Sequence, residues 1–585
     1  MHYGEDESRR KKKVAVMSIS AVLLVAMVVG VAVTATRMRN GDDASSEGQG
    51  NGDVSASVKA IESFCQPTDY KQSCVSALTK ATGSNITDPA ELVKLAFNVA
   101  VDEIRNVFNH SAVLKEAAKD PRTSHALQNC QELLEYAIDD IKQSAEKLSP
   151  FDVSKVNKAL EDLKIWLTAA ATYQETCLDG FQNTTGKAGA DMRKAMNLSM
   201  ELTDNTLALV DSVADVFASF KLPSFNRKLL AEEEALAADG FPTWVDARRR
   251  RLLQAGPGPV TKPDAVVAKD GSGDYTTINA ALEAVPKKSN TTFVIYVKAG
   301  VYDEIVLVDK SLTNVMMIGD GPTLTKVTGS LNFYQNITTF KTATFTAQGS
   351  GFIAKDMGFE NSAGPEKHQA VALLSTSDMS IFYRCQMDGY QDTLYAHSGR
   401  QFYRECTISG TIDFIFGNGA VILQNCVMLV RQPLDNQQNI VTAQGRKQRR
   451  HEGAIIIHNS TITADSGFAR ANWAKNPSFL GRPWKEYSRT FILQSEIDEV
   501  IDPKGWLPWA GEFGLKTCFY TEFDNRGPGS KKEQRVTWKG IRTIDYQRAL
   551  RFTVESFLRG NTWIRPTGIP YIPSLLPVSS TTPAA

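Results

Sequence analysis

The chain has 585 residues, 42% of them hydrophobic and 22% charged, with 65 Lys+Arg against 65 Asp+Glu. That length exceeds one ordinary domain and that composition excludes a disordered or fibrous polymer, so two or three globular domains are expected. Zero formal net charge argues against a dedicated nucleic-acid binder, which carries a basic surplus to meet phosphates, and no helix-turn-helix, zinc-finger or RNA-binding signature is present.

Residues 1–13 end in the basic run RRKKK, and VAVMSISAVLLVAMVVGVAVTAT (14–36) follows. At about 1.5 Å per residue this apolar run crosses roughly 30 Å of hydrocarbon. It lacks the polar stripe of a soluble core helix. It reads as a signal anchor or signal peptide with its basic side in the cytosol, the only segment expected to meet a membrane. Everything beyond it is then expected in the secretory pathway. Seven Asn-x-Ser/Thr sequons agree, at Asn85, Asn109, Asn183, Asn197, Asn290, Asn336 and Asn459. Eight cysteines without a C-x-x-C pair or histidines at zinc spacing favour disulfides, so no metal site and no cofactor are expected.

A glycine-rich linker (37–54) leads to residues 55–215, where PAELVKLAFNVAVDEIRNVFNH (89–110), HALQNCQELLEYAIDDIKQSAEKL (125–148) and VSKVNKALEDLKIWLTAAATYQETCLDGF (153–181) repeat apolar residues at i, i+3, i+4 and i+7. An all-α helical bundle is expected. Cys65 and Cys74 are close enough in sequence to staple a helical hairpin, and Cys130 and Cys177 fall in two long helices that a disulfide could tie side by side. The C-x8-C of CQPTDYKQSC, the C-x-E-L-L of NCQELLEYA and YQETCLDGF resemble the invertase/pectin methylesterase inhibitor domain.

Residues 216–253 carry RKLL (227–230) and ARRRRLLQ (247–254) with little periodicity between them. A basic run is usually a solvated surface. Between two domains of a secreted precursor, a processing site is the better reading. Cleavage near Leu253 would release a C-terminal domain, residues 254–585, with 35 Lys+Arg against 30 Asp+Glu, a surplus that suits a polyanionic substrate.

From Asp264 onward, short runs rich in Val, Ile, Phe and Thr are punctuated by Gly, Asn and Asp. Cys385, Cys406 and Cys426 recur at steps of 21 and 20 residues within similar local sequence. A β-sandwich would show strands every 8–12 residues, roughly, without repeated coils, whereas stacked coils sharing one core would repeat in this way. The expected fold is therefore multidomain, an all-α bundle followed by an all-β right-handed parallel β-helix.

That geometry gives meaning to FYRCQMDGYQD and FYRECTISGTID, in which Asp392 and Asp413 occupy matched positions. Strands on successive coils lie about 4.8 Å apart, so the carboxylates become neighbours and Cys406 and Cys426 stack as candidate disulfide partners. Two such carboxylates resist ionising together, which leaves one acid and one nucleophile or base. An aspartate in a β-helix turn often only caps backbone amides, but here Tyr390, Tyr395, Phe414 and Phe416 flank the pair with ring faces for a sugar. Gln391 and, one coil earlier, Gln369 supply amide donors for an oxyanion. Carboxylates about 5 Å apart also serve retaining glycosidases, so sugar-bond cleavage and ester hydrolysis both remain open at this point.

GVYDE (300–304), QAVAL (369–373), GYQDTLY (389–395), DFIFG (413–417) and LGRPW (480–484) together resemble the plant pectin methylesterase family over nearly all of residues 260–565. The resemblance implies a carboxylic ester hydrolase acting on methyl-esterified homogalacturonan, or pectin, in the cell wall. It implies Asp413 as nucleophile, Asp392 as proton donor and then base, and Gln391 as transition-state stabiliser. Thr339, Gln369, Arg482 and Trp484 match substrate-binding positions, with Arg482 orienting Asp413. The family commonly reads QAVALR where this chain has Leu374. For the precursor, the two resemblances imply an inhibitor-like pro-domain, a separate proteinaceous inhibitor as a possible partner, and a subtilisin-like processing protease.

Overall fold

The structure is a computed structural model that describes residues 52–82, 86–109, 120–147, 156–182, 184, 186–219 and 263–577. The proposed anchor (14–36) and both basic processing runs lie outside the described residues. Among the described residues no helix is long and apolar enough to cross a membrane. The chain divides into two compact units, one up to Glu233 and one from Glu234.

The first unit is helical: α1 (Gly52–Cys65), α2 (Lys71–Ala81), α3 (Pro89–Asn106), α4 (Pro121–Lys147), α5 (Val156–Gly180) and α6 (Ala188–Ser219). The bundle thus begins before residue 55 and ends after 215. Leu133, Leu134, Ala137 and Ile141 of α4 and Leu163, Leu167 and Ala170 of α5 are buried, the face that the apolar period requires. Disulfides join Cys65 to Cys74 and Cys130 to Cys177, with Cα separations of 5.8 and 4.4 Å. Buried Gln174 donates to Thr203 at 2.8 Å and accepts from Ser199 at 3.1 Å, so the α5–α6 seam satisfies its own polar groups.

The second unit is a parallel β-helix of three sheets with ten, seven and eight strands. Each complete coil contributes one short strand to each sheet, and the register follows the cysteine steps rather than the FYR match: Phe382 pairs with Tyr403, not Phe402, then Tyr403 with Leu423, Leu423 with Ile457 and Ile457 with Ile492. All of these side chains are buried in one continuous core, and the Phe382 and Tyr403 rings stack at 4.9 Å. No single coil could bury that column alone.

The expected Cys406–Cys426 disulfide is absent; Cys385, Cys406, Cys426 and Cys518 are free, buried thiols. The reason lies at the turn that precedes them, where Arg384, Glu405, Asn425, Asn459 and Gln494 all take left-handed φ. Each following residue then aims its side chain at the backbone of the coil before it. Cys406 N–H donates to Cys426 Sγ at 3.4 Å, Cys426 N–H to Ser460 Oγ at 3.0 Å, and Ser460 N–H to Ser495 Oγ at 3.1 Å. A thiol therefore occupies the slot that serine fills further along the helix. Rung spacing keeps parallel side chains about 4.8 Å apart at their bases, wider than the usual Cβ separation across a disulfide.

Beyond the short helical turn Arg565–Thr567, residues 569–577 form no helix or strand but are tied to the β-helix. Gln424 donates to Ile572 O at 2.9 Å and accepts from Ile572 N–H at 2.7 Å, and Gln494 makes the same pair with Leu576 at 3.0 and 2.8 Å.

Candidate active site

The seven-stranded sheet carries the site, its strands running in spatial order Ser478–Gly481, Asn439–Gln444, Ile415–Gly417, Leu394–Ala396, Leu373–Ser375, Phe345–Ala347 and Val306–Val308. Asp392 and Asp413 each stand just before adjacent strands, which pair Leu394 with Ile415 and Tyr395 with Phe416. Asp392 N–H donates to Ile412 O at 3.0 Å, sewing one turn onto the next. Both aspartates are left-handed, with φ of 66° and 52°. Asp accepts that region more readily than most residues, and such conformations collect at functional turns. Gln391 O accepts from Ala370 N–H at 3.2 Å, which brings Gln369 beside Gln391 from the preceding coil. Gln369 Oε1 is buried without a hydrogen-bond partner among the described residues, an acceptor that a bound substrate hydroxyl would satisfy.

Arg482 reaches Asp413 from two coils away. Its Nε donates to Oδ1 at 2.8 Å and its Nη2 to Oδ2 at 2.6 Å, a bidentate fork that fixes the carboxylate plane. Burial raises the pKa of both aspartates, but not equally. Asp392 is pushed well above the ordinary carboxylate range by burial and then by the negative charge of Asp413. Asp413 is raised by burial as well, but the Arg482 charge and hydrogen bonds pull against it. On Arg482 itself, burial works against the cation, and Asp413 more than compensates, so its pKa rises. The arrangement thus favours the proton on Asp392 over Asp413.

The aromatic surroundings sort into floor, wall and core. Tyr395 and Phe416 stack at 4.1 Å on the outer face of the sheet, and the half-buried Trp484 meets them edge-on at 6.4 and 5.8 Å. Gly445 permits this, because a Cβ there would lie 2.6 Å from the Trp484 ring. Phe414 is instead fully buried in the β-helix core, so it is no sugar platform, contrary to the sequence expectation. Phe414 lies in the turn between left-handed Asp413 and the strand that begins at Ile415, so the alternation that turns Phe416 outward does not extend to it. Leu374, where the family commonly has arginine, is buried and opposes Tyr395 in the register.

Thr339 opens the turn Thr339–Thr342, whose Phe340 meets Tyr395 at 6.3 Å and His397 at 5.3 Å. Sequence reasoning did not find Phe340, His397 or Trp509. Burial lowers the His397 pKa to about 3, so it serves there as a neutral ring rather than a base. Trp509 is 36% exposed and lies under the Arg482 guanidinium at 4.3 Å. Its only sequence signal was an aromatic residue in an irregular loop.

The site thus sets two carboxyls of unequal proton affinity, one of them gripped by Arg482, beside two glutamine amides and a group of rings. The pectinesterase family profile matches residues 264–561, and the plant invertase/pectin methylesterase inhibitor profile matches residues 59–209. The chain belongs to the pectinesterase family. It is 48% identical over 588 residues to "Probable pectinesterase/pectinesterase inhibitor 21" of Arabidopsis thaliana, covering 100% of this chain and 86% of that protein. It is 45% identical over 516 residues to "Pectinesterase 3" of Phaseolus vulgaris, covering 87% and 85%. Among solved structures, pectin methylesterase from carrot aligns with a TM-score of 0.53 at 48% identity, over 54% of this chain and 100% of that one. The second unit of this pectinesterase is thus the carboxylic ester hydrolase, and the first is its inhibitor-like region.

Proposed function

We propose that the β-helix unit hydrolyses the methyl esters of galacturonosyl units in pectin, with Asp413 as nucleophile and Asp392 as acid and then base. The bidentate Arg482 fork on Asp413, next to a carboxyl whose pKa burial and the Asp413 charge push up, is the observation that carries this reading. Asp413 attacks the ester carbonyl carbon, and the amides of Gln391 and Gln369 receive the charge that develops on the carbonyl oxygen. The C–O bond to the methoxy group breaks as Asp392 gives it a proton, and methanol leaves an acyl anhydride on Asp413. Asp392, now anionic, takes a proton from water; the hydroxide attacks the acyl carbon and Asp413 departs as carboxylate. Thr339 and Trp484 hold the sugar. Methanol release and polymer length measured together test this. Methanol without shortening is expected, shortening would indicate glycosidic cleavage, and neither product would sink the proposal.

On this reading the helical unit is a regulatory pro-region that holds the enzyme inactive in the secretory pathway. A subtilisin-like protease cuts at RKLL or RRRRLL, and the freed enzyme acts in the cell wall, where a separate inhibitor protein can still meet it. The inhibitor-profile match and the two basic runs between the units support this. Mass spectrometry of the secreted protein should find a new N-terminus near Leu253, and a fully active uncleaved chain would refute the scheme.

A further inference from the structure

His368 ends the turn Pro365–Lys367 with φ of 59° and ψ of −139°. The left-handed residues Asn336 and Arg559 have ψ of 22° and 44°, within the basin that other residues can reach, whereas His368 lies outside it, in a region open essentially to glycine. Such a conformation persists only where surrounding contacts enforce it, and it gathers at functional sites. Here the turn Phe333–Gln335 supplies those contacts. The His368 ring meets Tyr334 edge-on at 5.2 Å and Phe333 at 6.2 Å, and Phe333 N–H donates to Gln369 O at 3.0 Å. Buried Asn361 ties the same two segments from beneath, donating to Leu331 O at 2.9 Å and to Val371 O at 3.1 Å. His368 is exposed, whereas the next residue carries a buried amide oxygen, Gln369 Oε1, with no hydrogen-bond partner among the described residues.

A strained residue one position before an oxyanion donor, gripped by two rings on its exposed side, sets the direction in which that donor leaves the chain. We propose that His368 is a positioning residue: its ring clasp with Phe333 and Tyr334 holds the backbone reversal that aims the Gln369 amide at the ester carbonyl oxygen. The proposal rests on the pectin methylesterase reading and requires no contact between His368 and the sugar. His368→Gly reaches the same φ and ψ without strain, but it loses the clasp that selects them. Catalysis should then fall while stability does not, a split that a residue serving only the fold would not produce.

The test compares wild type, His368→Gly, His368→Phe, Gln369→Ala and the double variant His368→Gly with Gln369→Ala, all secreted from the full-length chain, in methanol release from methylated galacturonan and in thermal melts. His368→Gly should lower kcat about tenfold, the order that a misaimed transition-state donor costs, with KM within about twofold of wild type and Tm no lower. His368→Phe, which keeps a ring in the clasp, should recover most of that loss. On the Gln369→Ala background His368→Gly should have little further effect, because residues that act through one another are not additive. Full additivity of the two losses would overturn the proposal. So would a rise in KM alone, the mark of a ring that touches the sugar, or a fall in Tm that accompanies the loss of kcat, the mark of a merely structural turn. Wild type releasing no methanol would instead overturn the underlying reading.

Discussion

At Asp413 the Arg482 fork opposes burial, whereas at Asp392 burial and the Asp413 charge act together to raise the pKa. Asp392→Asn should reduce kcat by about 10²–10⁴-fold, the usual worth of a positioned acid–base group. Asp413→Asn should cost at least as much, and Gln391→Ala about 10²-fold with little change in KM, since its donor acts on charge present only in the transition state. The pH profile of kcat/KM should be bell-shaped, its acid limb reporting Asp413 and its alkaline limb Asp392. Arg482→Ala removes the cation that opposes burial at Asp413, so the acid limb should move to higher pH. Stability gives a second reading of the same shift. Because the folded-state pKa of Asp392 is raised, the native protein holds a proton that the unfolded chain releases near pH 3.9, roughly. The stabilisation is full below that pH and is lost as pH rises through the folded value. Asp392→Asn should therefore be more stable than wild type at pH 8, and nearly equal to it at pH 4, in denaturant melts.

At the scale of the element, the turn between sheets explains both what the repeat made legible and what it concealed. The cysteines of FYRC and FYREC identify successive coils, but the extra residue in FYREC offsets the FYR match by one, so that Phe382 pairs with Tyr403; register is set by inward-facing side chains, which have a period of two. The same repeat invited a disulfide between Cys406 and Cys426. The direction in which those side chains lean is set by the left-handed residue before each, a conformation taken here by Arg, Glu, Asn and Gln alike and so carrying no residue signature. Phe414 was misplaced for a related reason: a repeat of 21 gives equivalence between coils but not the face on which each copy points. The tail hooks were equally hidden, since Gln424 and Ile572 are paired only by the fold. Gln424→Ala with Gln494→Ala should raise amide hydrogen exchange at Ile572 and Leu576 by an order of magnitude or more, roughly, while leaving the inner strands protected. Unchanged exchange there would mean that side-chain packing, not the hooks, holds the tail.

Across the whole molecule, the two units are stabilised by different means. The disulfides of the described residues both lie in the helical unit, whereas the β-helix keeps its described cysteines reduced. Each bond should contribute about 2–4 kcal/mol by restricting the unfolded chain. Reductant should therefore lower hydrogen-exchange protection in α4 and α5 while that of the Phe382, Tyr403 and Leu423 strands stays constant; parallel loss in both would show that the β-helix also depends on a disulfide. The amino-acid sequence by itself determined the two-unit order, the coil repeat, the matched aspartates and the flanking motifs, because apolar periodicity and motif spacing are written along the chain. Only the tertiary structure decided what sets the two carboxyls apart, which rings lie on the outer face and why the thiols stay apart. Those depend on groups tens of residues apart meeting in a buried environment, where a guanidinium fork or the loss of water outweighs anything local sequence encodes.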